Sequence, residues 1–270
     1  MNKANLMSES SNIDTARRFG SLARLYGVSG ADRIRAAHVA IIGIGGVGSW
    51  VAEALARSGV GTLTFVDMDH ISESNINRQI HAIDSTLGQS KVLAMRDRVH
   101  AINSACNVLC IEEFVDPSNW PSILPKGVCA VVDACDQVQA KTAMAAWARD
   151  TGMLFISVGA AGGKRHAHLV DIDDLAATTH DPLLASVRYR LRKQYDAPRV
   201  GKKIGVSCVF SREAVMPPDS SCAVDGDGTL NCHGYGSVVS VTATFGQCAA
   251  GWVLDQISNA QEPKVLKLTL

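Results

Sequence analysis

The sequence predicts an α/β fold built on a doubly wound, mostly parallel sheet, with additional antiparallel strands in its C-terminal half. Three observations carry this. His38-Val-Ala-Ile-Ile-Gly43 is a continuous apolar run ending in glycine, as expected of a strand buried on both faces. Gly43-Ile-Gly-Gly-Val-Gly48 follows, and from Val47 to Ser58 the apolar residues recur at helical spacing until Gly59. Thr62-Leu-Thr-Phe-Val-Asp67 is a second buried run, so strand, helix and strand succeed one another as in a parallel crossover of Rossmann-like type.

The alternation continues along the chain. A helix is expected from about Gln89 to Ile102, strands at Val108 to Ile111 and Val128 to Asp133, a helix from Val138 to Asp150 and a strand from Met153 to Val158. His166 to Ile172 and Gly205 to Phe210 read as further strands with a basic helix between them. A polar loop from Arg212 to His233, an uncharged helix and a last strand from Val265 to Leu270 complete the reading. Upstream, residues 1–14, rich in Ser and Asn, are expected to be a disordered tail. Residues 15–30, with apolar side chains at helical intervals from Arg17 to Tyr26, form a helical arm. The simplest organisation is one domain over 15–270, elaborated over 160–270, without repeats or low-complexity tracts.

An apolar fraction of 47% in 270 residues fills a sizeable core, and a formal net charge of zero means that any polyanion must be met by a local patch. The eight cysteines (106, 110, 129, 135, 208, 222, 232 and 248) form no Cys-x-x-Cys pair, and no basic-then-apolar leader is seen; the expectation is a reduced, cytoplasmic protein. Cys222 and Cys232-His233 match no structural zinc spacing and are read as ordinary packing. Residues 235–254 carry no charge, the length of a membrane span. Ser237, Ser240, Thr242, Thr244, Gly246, Gln247 and Gly251 interrupt them, so a buried helix is preferred and membrane association is the minority alternative.

The glycine loop, with Gly43, Gly45, Gly46 and Gly48 between a strand and a helix, permits a tight turn and lets a nucleotide approach amides at a helix N-terminus. Asp67 ends the next strand, where a carboxylate accepts hydrogen bonds from ribose hydroxyls, and Asp69 lies just beyond. To this point NAD fits as well as ATP. The segment Ser74-Asn75-Ile-Asn77-Arg78-Gln79, with Lys91 at a helix start, tilts the choice to ATP. A carboxylate attacking an α-phosphate brings two anions together, and fixed guanidinium and ammonium groups offset both their repulsion and the charge of the transition state. Arg78 and Lys91 suit that task. Asp133 ends a strand and Asp136 sits in the following loop, on the carboxyl edge where open α/β sheets bind ligands. Asp136 is the candidate for holding Mg²⁺ against the triphosphate; Asp133 either joins it or ties down loop amides.

These elements resemble the ubiquitin-activating-enzyme-like superfamily, whose simpler bacterial members adenylate the C-termini of sulfur-carrier proteins. The resemblance implies that Asp67 holds ribose, Asn75 and Arg78 the phosphates, Lys91 the polyphosphate and Asp136 magnesium. Two departures are informative: Asp136-Gln137 replaces the usual Asp-Asn, and the two zinc-holding Cys-x-x-Cys pairs of many sulfur-carrier activators are missing. The chain is similar instead to the tRNA threonylcarbamoyladenosine dehydratase branch. The similarity lies in Arg18-Phe-Gly-Ser-Leu-Ala-Arg-Leu-Tyr-Gly27, Ser74 to Gln79, Asp181-Pro-Leu followed by Val187-Arg188, and Asn231-Cys-His-Gly234. That branch implies ATP-driven adenylation of the threonyl carboxylate of the modified adenosine beside the anticodon, then ring closure by the carbamoyl group. It also implies a homodimer in which an arm arginine, Arg24 or Arg18, enters the partner subunit's site, and leaves open a sulfur-transfer protein as a further partner.

Arg188, Arg190, Arg192, Lys193, Arg199, Lys202 and Lys203 form a basic stretch opposed only by Asp196, with Tyr189 and Tyr195 interleaved. In a neutral protein this reads as a surface that grips the tRNA backbone and stacks a base, against the plainer reading of a solvated helix face. Cys222 and Cys232 receive no catalytic role, because an intramolecular ring closure needs no acyl-accepting thiol. Three rivals stand beside this reading: adenylation of a sulfur-carrier or ubiquitin-like protein, an NAD-dependent oxidoreductase without an evident hydride-transfer acid or base, and a non-enzymatic ATP-sensing tRNA scaffold.

Overall fold

The computed structural model describes residues 14–199, 201–219, 221 and 235–260. The expected strand at 265–270, segment 231–234, Cys222 and Cys232 lie outside these, as does the expected tail apart from Asp14. Helix α1 (Thr15–Ala36) begins where the Asp14 carboxylate accepts the Arg17 amide at 2.8 Å, an N-cap, and is broken by Gly27 at φ +75°. It runs beyond the expected arm because its second half is core: Ala31 and Ile34 are buried, and Arg33 donates to the carbonyls of Ile257 and Ser258.

Among the described residues seven strands form one sheet in the order β3-β2-β1-β4-β5-β7-β6: β1 (His38–Ile42), β2 (Thr62–Val66), β3 (Asn107–Ile111), β4 (Ala130–Asp133), β5 (Leu154–Val158), β6 (Val170–Asp174) and β7 (Ser207–Ser211). Every pairing is parallel except β6 with β7. The unalternated apolar runs are explained by helices on both faces. Val39 and Ile41 of β1 join one core with α1, α2 (Gly48–Arg57), α3 (Lys91–Ile102) and α6 (Val239–Asn259), while Ala40 and Ile42 join the other with α4 (Val138–Thr151) and α5 (Pro182–Gln194). The expected strand at His166 to Ile172 is displaced. A single 3₁₀ turn covers Ala167–Leu169 and β6 then runs on through Asp173 and Asp174, because an edge strand tolerates charge and Asp174 is held by the amides of Ile204 and Gly205.

The uncharged stretch is α6, and among the described residues no helix is long and apolar enough to cross a membrane. Val241, Phe245, Ala249, Val253 and Ile257 recur on its buried face, packed on α1 and α2. Gly246 sets the closeness of that crossing, since a Cβ there would lie 2.6 Å from Trp50 Cβ and 2.8 Å from the Val47 carbonyl. Strand order reverses between β1 and β4, so the loops leaving those two strands lie side by side at the carboxyl edge.

Candidate active site

The loop after β1 must be glycine at its two ends. Gly43 has φ +88°, and a Cβ there would lie 2.9 Å from the Ala134 carbonyl of the β4 loop; a Cβ on Gly48 would overlap the carbonyl oxygen of Gly43. Asp67, just past β2, pins this loop. Its Oδ2 accepts the Ile44 amide at 2.6 Å and its Oδ1 the Asp69 amide at 2.9 Å. Burial pushes the Asp67 carboxyl up, opposed by Lys91 and by these two amides. Each oxygen still has a lone pair for a ligand hydroxyl.

The Ser74 to Gln79 segment begins inside a 3₁₀ turn at Glu73–Asn75, in which Asn75 Oδ1 accepts the Ser72 amide at 3.1 Å. Asn75 is thus committed in part to holding the turn. Arg78 is fixed from several sides: its Nη1 donates to the Ser74 carbonyl at 2.5 Å and to Asn77 Oδ1 at 2.9 Å, and its own carbonyl accepts the Trp50 indole N–H at 2.9 Å. The stem of Arg78 lies 3.4 Å from where a Gly46 Cβ would be, which brings the guanidinium segment against the glycine loop. Gln79 is buried beside Gly45, and its Oε1 has no partner among the described residues. Lys91 opens α3, nearly buried, with Nζ 2.6 Å from Asp69 Oδ2. Asp69 is therefore the counter-ion of Lys91, a role its expected place among nucleotide contacts did not include. Ser74 is exposed, its hydroxyl 2.9 Å from that of Ser72.

Asp136 is exposed, and among the described residues its side chain meets only Gln137 Nε2, at 3.3 Å. No group of three His, Cys, Asp or Glu stands together among the described residues. A lone carboxylate with open lone pairs fits Mg²⁺, which is usually held by one or two carboxylates plus substrate phosphates. Asp133 takes the structural alternative. Fully buried, its Oδ2 accepts Lys141 Nζ at 2.9 Å and Ser157 Oγ at 2.7 Å, and its Oδ1 accepts the Cys135 amide at 3.3 Å. Burial pushes the Lys141 ammonium down, but the Asp133 carboxylate, helped by Cys135 and Cys208, offsets this and the ammonium is raised on balance.

Sequence reasoning missed Trp50, Lys141, Ser157, His81, Ser237 and Thr242. The last two come from the C-terminal part of the chain: Asn77 Nδ2 donates to the Ser237 carbonyl at 3.0 Å, and Thr242 Oγ1 to the Arg78 carbonyl at 3.4 Å. Nothing in the local sequence signals those contacts. His81 is 2% exposed, with neither ring nitrogen partnered among the described residues, and its pKa falls from 6.5 to about 4 through burial first and the Lys91 and Arg98 charges second. The unfolded chain takes up this proton near pH 6.5 and the native chain only near pH 4, so stability rises with pH across that window. We expect His81 to account for about 3 kcal/mol of lost unfolding free energy as pH falls through it. Urea melts at several pH values should therefore show a flatter acid limb for His81→Leu, and parallel limbs would rule out His81 as the source.

The basic stretch divides. Arg188 Nη1 donates to the Leu175 carbonyl at 3.0 Å and the Thr178 carbonyl at 2.9 Å, and Arg192 Nε to the Pro198 carbonyl at 3.1 Å. One nitrogen of each of these two guanidinium groups is turned onto the backbone of its own chain, a distinction the sequence did not draw among the seven cations. The side chains of Arg190, Lys193, Arg199, Lys202 and Lys203 make no hydrogen bond or ion pair among the described residues; Lys193 Nζ lies 5.7 Å from the centre of the exposed Tyr189 ring. Of the arm arginines, Arg18 donates to the Ile102 carbonyl at 3.2 Å, whereas Arg24 is exposed beside Leu25.

The chain is 42% identical over 243 residues to tRNA threonylcarbamoyladenosine dehydratase of Haemophilus influenzae, covering 89% of this chain and 93% of that protein. It is 40% identical over 250 residues to the Escherichia coli protein of the same name, again covering 89% and 93%. A crystal structure of the E. coli dehydratase in complex with ATP matches with a TM-score of 0.82 and 38% identity, over 93% of this chain and 96% of that one. The molybdopterin-synthase adenylyltransferase of Salmonella typhimurium is 33% identical over 118 residues, only 44% of this chain. The ThiF family model spans residues 19–270, and the chain belongs to the ThiF family.

Proposed function

We propose that this protein is an ATP-dependent tRNA-modifying enzyme that dehydrates threonylcarbamoyladenosine beside the anticodon. A carboxylate oxygen of the threonyl group attacks the α-phosphorus of ATP and expels pyrophosphate. The carbamoyl group then attacks the activated carbonyl carbon and expels AMP, so the nucleoside loses one water overall. The observation that carries this reading is the pair of fixed cations, Arg78 beside Gly46 and the nearly buried Lys91, with Asp67 pinning the glycine loop through the Ile44 amide. Pre-set positive charge is what a meeting of two anions needs and a hydride transfer does not. Asp67 and Gln79 Oε1 would accept ribose hydroxyls, and amides at the start of α2 would meet phosphate oxygens. Asp136 would hold Mg²⁺, which when bound supplies positive charge across the triphosphate.

Arg24 supports a two-fold dimer: unlike Arg18, its side chain has no partner in its own chain among the described residues, and the neighbouring Leu25 and Val28 are 73% and 69% exposed. The described cysteines carry free thiols, which supports a reducing, cytoplasmic setting. Incubation with ATP, Mg²⁺ and tRNA bearing threonylcarbamoyladenosine tests the reading. AMP release with a nucleoside lighter by one water is expected; AMP formed only with a sulfur-carrier protein would favour that rival.

The tRNA grip belongs to the unspent cations. Replacing Arg190, Lys193 and Lys202 together with glutamate is expected to weaken tRNA binding by about tenfold or more, and to flatten its salt dependence by about 0.9 for each phosphate no longer neutralised. ATP affinity should not change. Filter binding at several salt concentrations reads both quantities, and an unaltered slope would move the tRNA to another face.

A further inference from the structure

We infer that Lys141 and Ser157, acting through Asp133, are positioning residues that aim the Asp136 loop at the metal and triphosphate. The inference rests on the reading of Asp136 as the magnesium ligand. Lys141, Asp133 and Ser157 are 0%, 0% and 1% exposed. Taking two charges out of water costs several kcal/mol per ion, and well-packed apolar side chains in such places usually give equal or greater stability. Stability alone therefore does not account for the pair. What it joins does. Asp133 is the last residue of β4 and Lys141 lies in the first turn of α4, with the Asp136 loop strung between them. Lys141 Nζ donates to the Asp133 carboxylate at 2.9 Å, to the Asp133 carbonyl at 3.3 Å and to Ser157 Oγ, on β5, at 3.3 Å. The other Asp133 oxygen takes the Cys135 amide at 3.3 Å and the Cys135 thiol at 3.1 Å. Strand end, loop, helix start and neighbouring strand are thus tied at one buried point.

Asp136 has no comparable support of its own, since Gln137 Nε2 at 3.3 Å is its side chain's one partner among the described residues. Its place is set from beneath, by the loop backbone. The same loop also presses on the nucleotide side, where the Ala134 amide donates to the Ile42 carbonyl at 2.8 Å and the Ala134 carbonyl abuts Gly43. Outer partners that orient a ligand typically govern metal affinity by about 10–100-fold.

The test uses the full chain with α,β-methylene-ATP and Mn²⁺ as probes, free Mn²⁺ being counted by electron paramagnetic resonance. The apolar variant Asp133→Val/Lys141→Met/Ser157→Ala is expected to keep a melting temperature near that of the native protein and to bind the analogue in EDTA with native affinity. It should hold Mn²⁺ on the nucleotide complex about tenfold or more weakly. Unchanged Mn²⁺ affinity, or an equal loss of metal-free nucleotide binding, overturns the inference, because the network would then serve stability or the whole pocket. Should that variant not fold, Ser157→Ala decides: Mn²⁺ binding weaker by about tenfold, the low end of such losses, is expected, and no loss overturns the inference. Asp136→Asn separates the two levels. Lost Mn²⁺ affinity there, with none lost in the network variants, sinks the positioning role alone; no loss in Asp136→Asn sinks the magnesium reading and the inference with it.

Discussion

Alanine in place of Arg78 or Lys91 is expected to slow single-turnover AMP formation on modified tRNA by about 10²–10³-fold, the usual consequence of removing one pre-set donor from a transition state. ATP affinity should fall much less, because the charge that these groups offset is greatest when carboxylate and α-phosphate meet. In Arg78→Ala the Nη1 bonds to Ser74 and Asn77 go with the guanidinium, but the residue's carbonyl still accepts the Trp50 indole N–H and keeps the loop tied down. Lys91 lies 2.6 Å from Asp69, whose side chain is 53% exposed and can be rehydrated when the ammonium is gone. Rapid-quench measurement of AMP beside equilibrium binding of ATP separates the effects. Equal losses in rate and in affinity would make both residues simple binders.

Methionine at Lys141 alone is expected to cost about 3–5 kcal/mol of folding stability, since it strands the Asp133 carboxylate in a water-free interior. Ser157 Oγ at 2.7 Å and the Cys135 amide at 3.3 Å remain for that carboxylate, but neither carries charge. Urea denaturation at neutral pH measures the loss. A value below about 1 kcal/mol would mean that water reaches the carboxylate once the ammonium is removed.

The sheet was legible because its first strands announce themselves. His38 to Ile42 and Thr62 to Val66 lack the alternation of a half-exposed strand, and helices cover both faces of the sheet where they lie. The glycine loop was legible for a related reason: Gly43 and Gly48 mark a backbone that admits no side chain, and their spacing records that constraint locally. Partners supplied by topology left no such trace. Ser237 and Thr242 meet the Asn77–Arg78 segment from far along the chain, and Ser157 meets Asp133 because β4 and β5 are neighbours in register. Composition also could not say which way a cation turns. Arg188 and Arg192 share a helix with Arg190 and Lys193, yet they satisfy carbonyls of their own chain, because α5 presents them to the loops that flank it.

The crossing of α6 over α1 and α2 has a consequence for biosynthesis. A ribosome that has already delivered the glycine loop, Arg78 and Lys91 has yet to deliver the helix bearing Phe245 and Val253, which covers the apolar flank of α2. Until α6 emerges, the nascent polypeptide leaves Val51 and Leu55 without their final cover, a surface on which unfinished chains associate. The core that joins α2 to the sheet is thereby completed only once α6 has been made.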